Sequence, residues 1–376
     1  MWRTGGRVVN FLAWLFVLTV SLRLPVQAQT EYFPLRLKPQ KFPFVAKEYY
    51  ISKTLDRRDD KNGLGDVIIA GTSSSYSKQT INFPGEANEV LSKFLGTGFQ
   101  RKAELRPVVV SLKKLKITEK QQDGLVVGAI EIVLLFELDK EIPEKLLEYR
   151  GGSKYSRAVD QVSALETIMG NTLINSIKYF NTWMDSEANT NEKLARKLEL
   201  RFSEVKSALE SDTVFYSATR KLAWTDFASE PDRKSPFAAE IFPFFSFEQS
   251  SRVVDGTIHV SIVPKVYMVK SFSWVKDNAR THITLNHEQR HFDIVKIAAE
   301  RFRQKISKEV LTVDNYQGIL SVEYLQALRE MNALQKEYDG ETGHGTDMII
   351  QQRWNSRIDS QLRSYFTSIG KADQRR

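Results

Sequence analysis

Two histidines four residues apart, His287 and His291, bracket Glu288 in the segment Thr281 to Arg303, THITLNHEQRHFDIVKIAAERFR. This spacing commits the segment to a helix, because residues four apart project from one helical face and side by side. The apolar residues agree: Phe292, Val295, Ala299, Phe302 and Ile306 recur at spacings of three and four, which predicts a buried stripe beside the histidines. Asn286 is the expected N-cap. Two neutral imidazoles on one face can bind a single metal ion, and Glu288 sits where it can reach a water activated by that metal without being a ligand itself. Zinc lowers the pKa of such a water towards about 7, and a neighbouring carboxylate takes its proton as it attacks a carbonyl.

Two ligands do not complete a site of this kind; a third is required, with one position left open. A ligand six residues beyond His291 falls on Ile297, so the third must come from further along. The helix about 286–309 is about 36 Å long, and a second, about 319–337 with Leu325, Leu328, Met331 and Leu334 on one face, runs about 28 Å. They are joined by a short turn holding Asp314-Asn315 and ending at Gly318, so antiparallel packing returns the second helix to the start of the first. The next residues, YDGETGHGTD, carry His344 among Gly340, Gly343 and Gly345, and His344 is the expected third ligand. Glu330, Glu337, Asp339 and Glu341 are the carboxylate alternatives. Tyr338 is a candidate hydrogen-bond donor to a developing oxyanion, or else a packed aromatic. Asp293 points off the ligand face and suits a salt bridge, while His259 and His282 lack partners at metal spacing. A final helix about 347–366, with Ile350, Trp354, Ile358, Leu362 and Tyr365 on one stripe, completes a three-helix layer.

The rest of the chain frames this segment. With 376 residues it is long enough for two domains. Residues 1–28 have the plan of a signal peptide: Arg3 and Arg7, the apolar run Phe11 to Val20, and small residues Val26 and Ala28 before a mature start at Gln29. The run is too short to span a bilayer, so no stable membrane insertion is expected once it is cleaved. The chain contains no cysteine, which excludes disulfides, a lipidated cysteine and thiolate ligands. Arg3, Arg7 and Arg23 account for part of the net charge of +8, and no dense basic stripe with interleaved aromatics follows, so nucleic acid is excluded as a partner.

From 29 to 185 the chain reads as a small α+β domain of unknown role. It has strands at GDVIIAG, RPVVVSLKKLKI and LVVGAIEIVLLFEL, a turn at Asp123-Gly124, and a helix from about Val159 to Met184. Residues 186–212 are polar and helix-forming and are expected to connect two domains as a helix. The second domain, 213–376, opens with a hairpin turning at Asp255-Gly256, whose strand Thr257 to Lys270 offers an edge for an extended peptide.

The segments LAWTDF, SPFAAE, SFSW, LNHEQRHFDI, AERFR, YDGETGHG and QQRWNSRI together resemble a family of exported bacterial proteins called domain of unknown function 922, described as secreted zinc-dependent proteases. The resemblance covers about residues 215–365. It implies a zincin-like domain with His287 and His291 as zinc ligands, Glu288 as catalytic acid/base and His344 as the remaining ligand. The combined expectation is an α+β protein, periplasmic or secreted, in which a small N-terminal α+β domain precedes a zincin-like metallopeptidase domain acting on peptide or protein. The alternative is a non-catalytic cell-envelope binding or assembly protein whose zinc is structural or vestigial.

Overall fold

The computed structural model describes residues 32–71, 75–96, 98–205 and 211–373; the expected signal peptide lies outside them. The protein is a mixed α+β chain, and its buried apolar residues gather in a cluster spanning Leu35 to Leu194 and two others spanning Val214 to Leu362.

The first cluster underlies a seven-stranded sheet of β1 (Phe33–Pro34), β2 (Tyr49–Asp56), β3 (Gly65–Ala70), β4 (Tyr76–Asn82), β5 (Arg106–Gln122), β6 (Leu125–Leu138) and β7 (Glu144–Arg157). Helices α1 (Ala87–Gly96) and α2 (Ala164–Glu187) pack on it. The β5–β6 hairpin turns at Asp123 and Gly124, whose φ angles of 50° and 76° fit the positive-φ turn that matches the strand twist.

Among the described residues of 186–212 the expected connecting helix is not formed. Helix α2 ends at Glu187, a single 3-10 turn follows at Glu192–Leu194, and Lys197–Phe202 is a strand, β8. The cause is visible in KLELRF: Leu198, Leu200 and Phe202 repeat every second residue, and burial follows that period. They register with Ile258, Val260 and Ile262 in a parallel ladder, so the second body begins before residue 213.

That body continues through β9 (Thr213–Phe215), β10 (Ala239–Glu240), β11 (Pro243–Val254), β12 (Thr257–Val269) and β13 (Trp274–Val275). The hairpin β11–β12 turns at Asp255 and Gly256, both with positive φ, as the Asp-Gly pair predicts. Strand β12 pairs with β11 along one side and, along the other, with β8 at residues 257–262 and β9 at residues 267–269. The expected substrate edge at Thr257 to Lys270 is therefore occupied over most of its length.

Helices α3 (His282–Ile306), α4 (Tyr316–Thr342) and α5 (Met348–Asp373) form the three-helix layer. Helix α3 starts four residues before Asn286 because Thr281 caps it, its side chain accepting from Thr284 N–H at 3.2 Å. The stripe Phe292, Val295, Ala299, Phe302 and Ile306 is buried. Helix α4 runs antiparallel to α3, since Lys305 pairs with Glu323 and Glu330 while His291 and His287 meet Gln335 and Asp339. Its buried face is Tyr316, Leu320, Ala327, Leu334 and Tyr338; Leu325, expected inside, is 55% exposed.

Candidate metal centre

Helix α4 extends past the expected end at 337 to Thr342, and this extension decides which residue meets the histidines. Gln335 and Asp339 share one face of α4 at the spacing that His287 and His291 share on α3. Asp339 Oδ1 lies 3.2 Å from His287 Nε2 and 2.9 Å from His291 Nε2, and the two Nε2 atoms are 3.2 Å apart. His287, His291 and Asp339 thus form a group that could hold a metal ion. A tetrahedral site with metal–nitrogen distances of about 2.0–2.1 Å has edges of about 3.3 Å, close to all three separations.

The hydrogen-bond network explains why these atoms converge. Asn355 Oδ1 accepts from Arg290 Nε at 3.0 Å and from Gln351 Nε2 at 3.0 Å. The Gln351 amide is thereby oriented with Oε1 towards His287 Nδ1, 3.1 Å away, which donates to it. Gln335 likewise turns Nε2 to the His291 carbonyl and Oε1 to His291 Nδ1. With both Nδ1 atoms protonated, each neutral ring presents an Nε2 lone pair to the carboxylate of Asp339. Asp339 Oδ1 is buried and has no hydrogen-bond donor. Three lone pairs facing one another without a donor fit a bound cation.

Protonation follows from the same arrangement. With no cation between them the same atoms share a proton instead: burial opposes the charged form of Asp339, but a protonated His287 or His291 outweighs it and holds the carboxyl well below its ordinary value. Burial likewise opposes a charged His291, yet its bond to Asp339 and the charge of Glu288 raise it. Glu288 is only 4% exposed, and burial pushes its carboxyl up despite the neighbouring histidines. Its Oε2 accepts the Ile241 N–H at 2.9 Å, tying the helix to the segment just beyond β10.

The remaining candidates are placed as follows. Glu330 is bound to Lys305, Glu337 to Arg357 and Glu341 to the Trp354 indole, so three of the four carboxylate alternatives are engaged elsewhere. His344 stands outside the triangle, with Nδ1 3.7 Å from Asp339 Oδ1 and its ring against Phe237 at 4.4 Å. The loop turns there through three consecutive positive-φ residues, Gly343, His344 and Gly345, after the helix has already delivered Asp339. A Cβ on Gly345 would meet His287 Cγ at 2.9 Å, so the loop presses its backbone against that ring. Tyr338 is buried among α3, α4 and α5: its ring stacks on His287 and its hydroxyl bonds the His287 carbonyl and Gln351. This is the packed-aromatic arrangement, with the hydroxyl engaged by the His287 carbonyl and Gln351. Asp293 accepts from Tyr216, Gln289 and Arg290. His259 meets Glu199 across β12 and β8.

Sequence reasoning missed Gln335, Gln351 and Asn355. Each left a faint signal: Gln335 stands four residues from Asp339, and Gln351 and Asn355 stand four apart within QQRWNSRI.

The group opens onto a cleft of about 670 Å3, walled by residues 237–243, the start of α3 and the end of α4. β10 pairs only with β13, so its other edge carries no strand among the described residues. No helix among the described residues is long and apolar enough to cross a membrane.

No family model matches the chain, and no curated protein matches it. Solved structures match part of it, two of them as follows. A Xanthomonas campestris protein of family DUF330 is 8% identical over 41% of this chain and 96% of its own, with a TM-score of 0.26. An uncharacterized protein is 11% identical over 40% and 98%, with a TM-score of 0.19. Similarity at these values fixes neither fold nor function.

Proposed function

We propose that the chain is an exported zinc metallopeptidase in which His287, His291 and Asp339 hold the metal and Glu288 is the general base. The zincin-like character of the second domain, the likeness to domain of unknown function 922, and export through residues 1–28 to the periplasm or exterior belong to the same proposal. The observation that carries it is the convergence of three lone pairs, one on the buried and unsatisfied Oδ1 of Asp339, beside Glu288 in an open cleft.

When bound, zinc supplies a Lewis acid that polarises a carbonyl and makes water a stronger acid. Glu288 takes the proton from the attacking water and passes it to the departing amine nitrogen. The Ile241 N–H fixes one oxygen of Glu288, leaving the other for this work. Gln351 and Gln335 hold the two rings with Nε2 inward. β10 offers its open edge to an extended peptide, the role expected of strand β12.

The competing reading, an envelope binding or assembly protein with a structural zinc, requires a fourth protein ligand closing the site. Three protein ligand atoms and an open cleft favour the catalytic reading. Glu288→Gln is expected to retain one zinc per chain while peptide hydrolysis falls by about a hundred- to ten-thousandfold. Hydrolysis at the wild-type rate by the zinc-loaded variant would sink this mechanism.

A further inference from the structure

Recognition of a terminal carboxylate needs a cationic or N–H partner. Among the described residues the lining of the cleft includes Glu240, Glu288 and Asp339 but no lysine or arginine. A peptide's terminal carboxylate is ordinarily gripped by arginine, lysine or free backbone N–H groups. Several of the N–H groups nearby are already used. Asp347 Oδ1 accepts from Ile349 and Ile350 at the start of α5, and Thr281 accepts at the start of α3. In the glycine loop, His344 N–H goes to the Asp339 carbonyl, Gly345 N–H to the Thr342 hydroxyl and Thr346 N–H to the Gly343 carbonyl.

The rim, by contrast, is apolar and solvent-facing. Phe237, Phe242, Ile283 and Met348 line the cleft at 37%, 41%, 36% and 44% exposure. Phe242 continues outward to Phe272 and Phe244, with ring centroids 5.5 and 5.0 Å away. Apolar side chains concentrated around a concave site, beside an open strand edge, suit a partner that brings both backbone hydrogen bonds and apolar side chains.

We infer that the cleft takes an extended polypeptide bearing large apolar side chains without gripping a terminal carboxylate, so that the protein is not a carboxypeptidase. This rests on the peptidase reading above and names its substrate class.

The probes are ten-residue peptides with a central Leu-Phe pair, acetylated and amidated, compared with the same peptide bearing a free carboxyl end and with one in which Asp-Asp replaces the pair. With the zinc-loaded protein, kcat/KM is expected to be equal for the blocked and free peptides and at least about tenfold lower for the Asp-Asp peptide. Phe242→Ser and Ile283→Ser are expected to raise KM for the Leu-Phe peptide about tenfold, with kcat and zinc content retained. Cleavage that requires a free carboxyl end, or that ignores the Asp-Asp replacement, overturns the inference and leaves the peptidase reading standing. Tight binding of the blocked Leu-Phe peptide to zinc-loaded Glu288→Gln, with no cleavage by wild type, overturns the peptidase reading and retains the apolar preference. Absence of both binding and cleavage overturns both.

Discussion

Each half of the molecule buries a carboxylate oxygen, and the two groups are treated in opposite ways. In the seven-stranded sheet, Glu119 is fully enclosed and every side of it is answered. Oε1 accepts from Tyr155 and from Arg157 Nε, and Oε2 accepts from Ile68 N–H and Arg157 Nη2. In the helical layer, Asp339 Oδ1 is buried with no donor and faces two imidazole nitrogens. An enclosed charge whose lone pairs are all satisfied is part of a scaffold. One whose lone pair is left open, at a site whose neighbours are themselves held in place by Gln335 and Gln351, is prepared for a cation.

The sharpest way to break this contrast is to neutralise both carboxylates. Asp339→Asn is expected to weaken zinc binding by more than about a hundredfold, beyond the usual effect of losing a ligand's hydrogen-bond partner, while the chain still folds. Glu119→Gln strands Arg157 and is expected to cost about 3–5 kcal/mol of folding stability, with zinc content unchanged in the protein that folds. Titration calorimetry and chemical denaturation separate the two; equal zinc affinity in wild type and Asp339→Asn would remove Asp339 from the site.

Removing the metal probes the halves together. After chelation, amide hydrogen exchange should accelerate around 287–291 and 335–345 and stay unchanged across 106–157, because bound ligand stabilises only the region that holds it. Uniform acceleration across both halves would dissolve the contrast.

A smaller effect is expected from Gln351→Leu, which removes the acceptor of His287 Nδ1 and should lower zinc affinity about 10- to 100-fold. An unchanged affinity would mean the ring needs no such support. Smallest are Gly124→Ala and Gly256→Ala, one in each half. Both glycines have positive φ in a two-residue hairpin, so each change should cost about 1 kcal/mol and leave zinc binding alone.

Much of this was legible in the chain, because it depended on local periodicity. HEQRH placed two imidazoles on one helical face, the stripe from Phe292 to Ile306 oriented that helix, and the two Asp-Gly pairs marked both hairpins. The short α3–α4 turn gave the antiparallel return. The strand at Lys197–Phe202 was also written locally, as an alternation of Leu198, Leu200 and Phe202, but its polar, helix-favouring setting concealed it until β12 supplied a partner.

Other features had no decisive local signature. Gly340 suggests a helix end, yet α4 runs through it to Thr342 because Tyr338 packs against His287 and Trp354 on neighbouring helices. That single extra turn places Asp339, and not His344, opposite the histidines. Gln351 and Asn355 come from a third helix and matter only after α5 is laid against α3. The sequence by itself determined the pair of ligands and the helix that carries them, since both follow from the 3.6-residue turn. The third corner of the site, the orientation of the rings and the open edge at β10 were decided by tertiary packing, because each depends on residues distant in the chain meeting at about 3 Å.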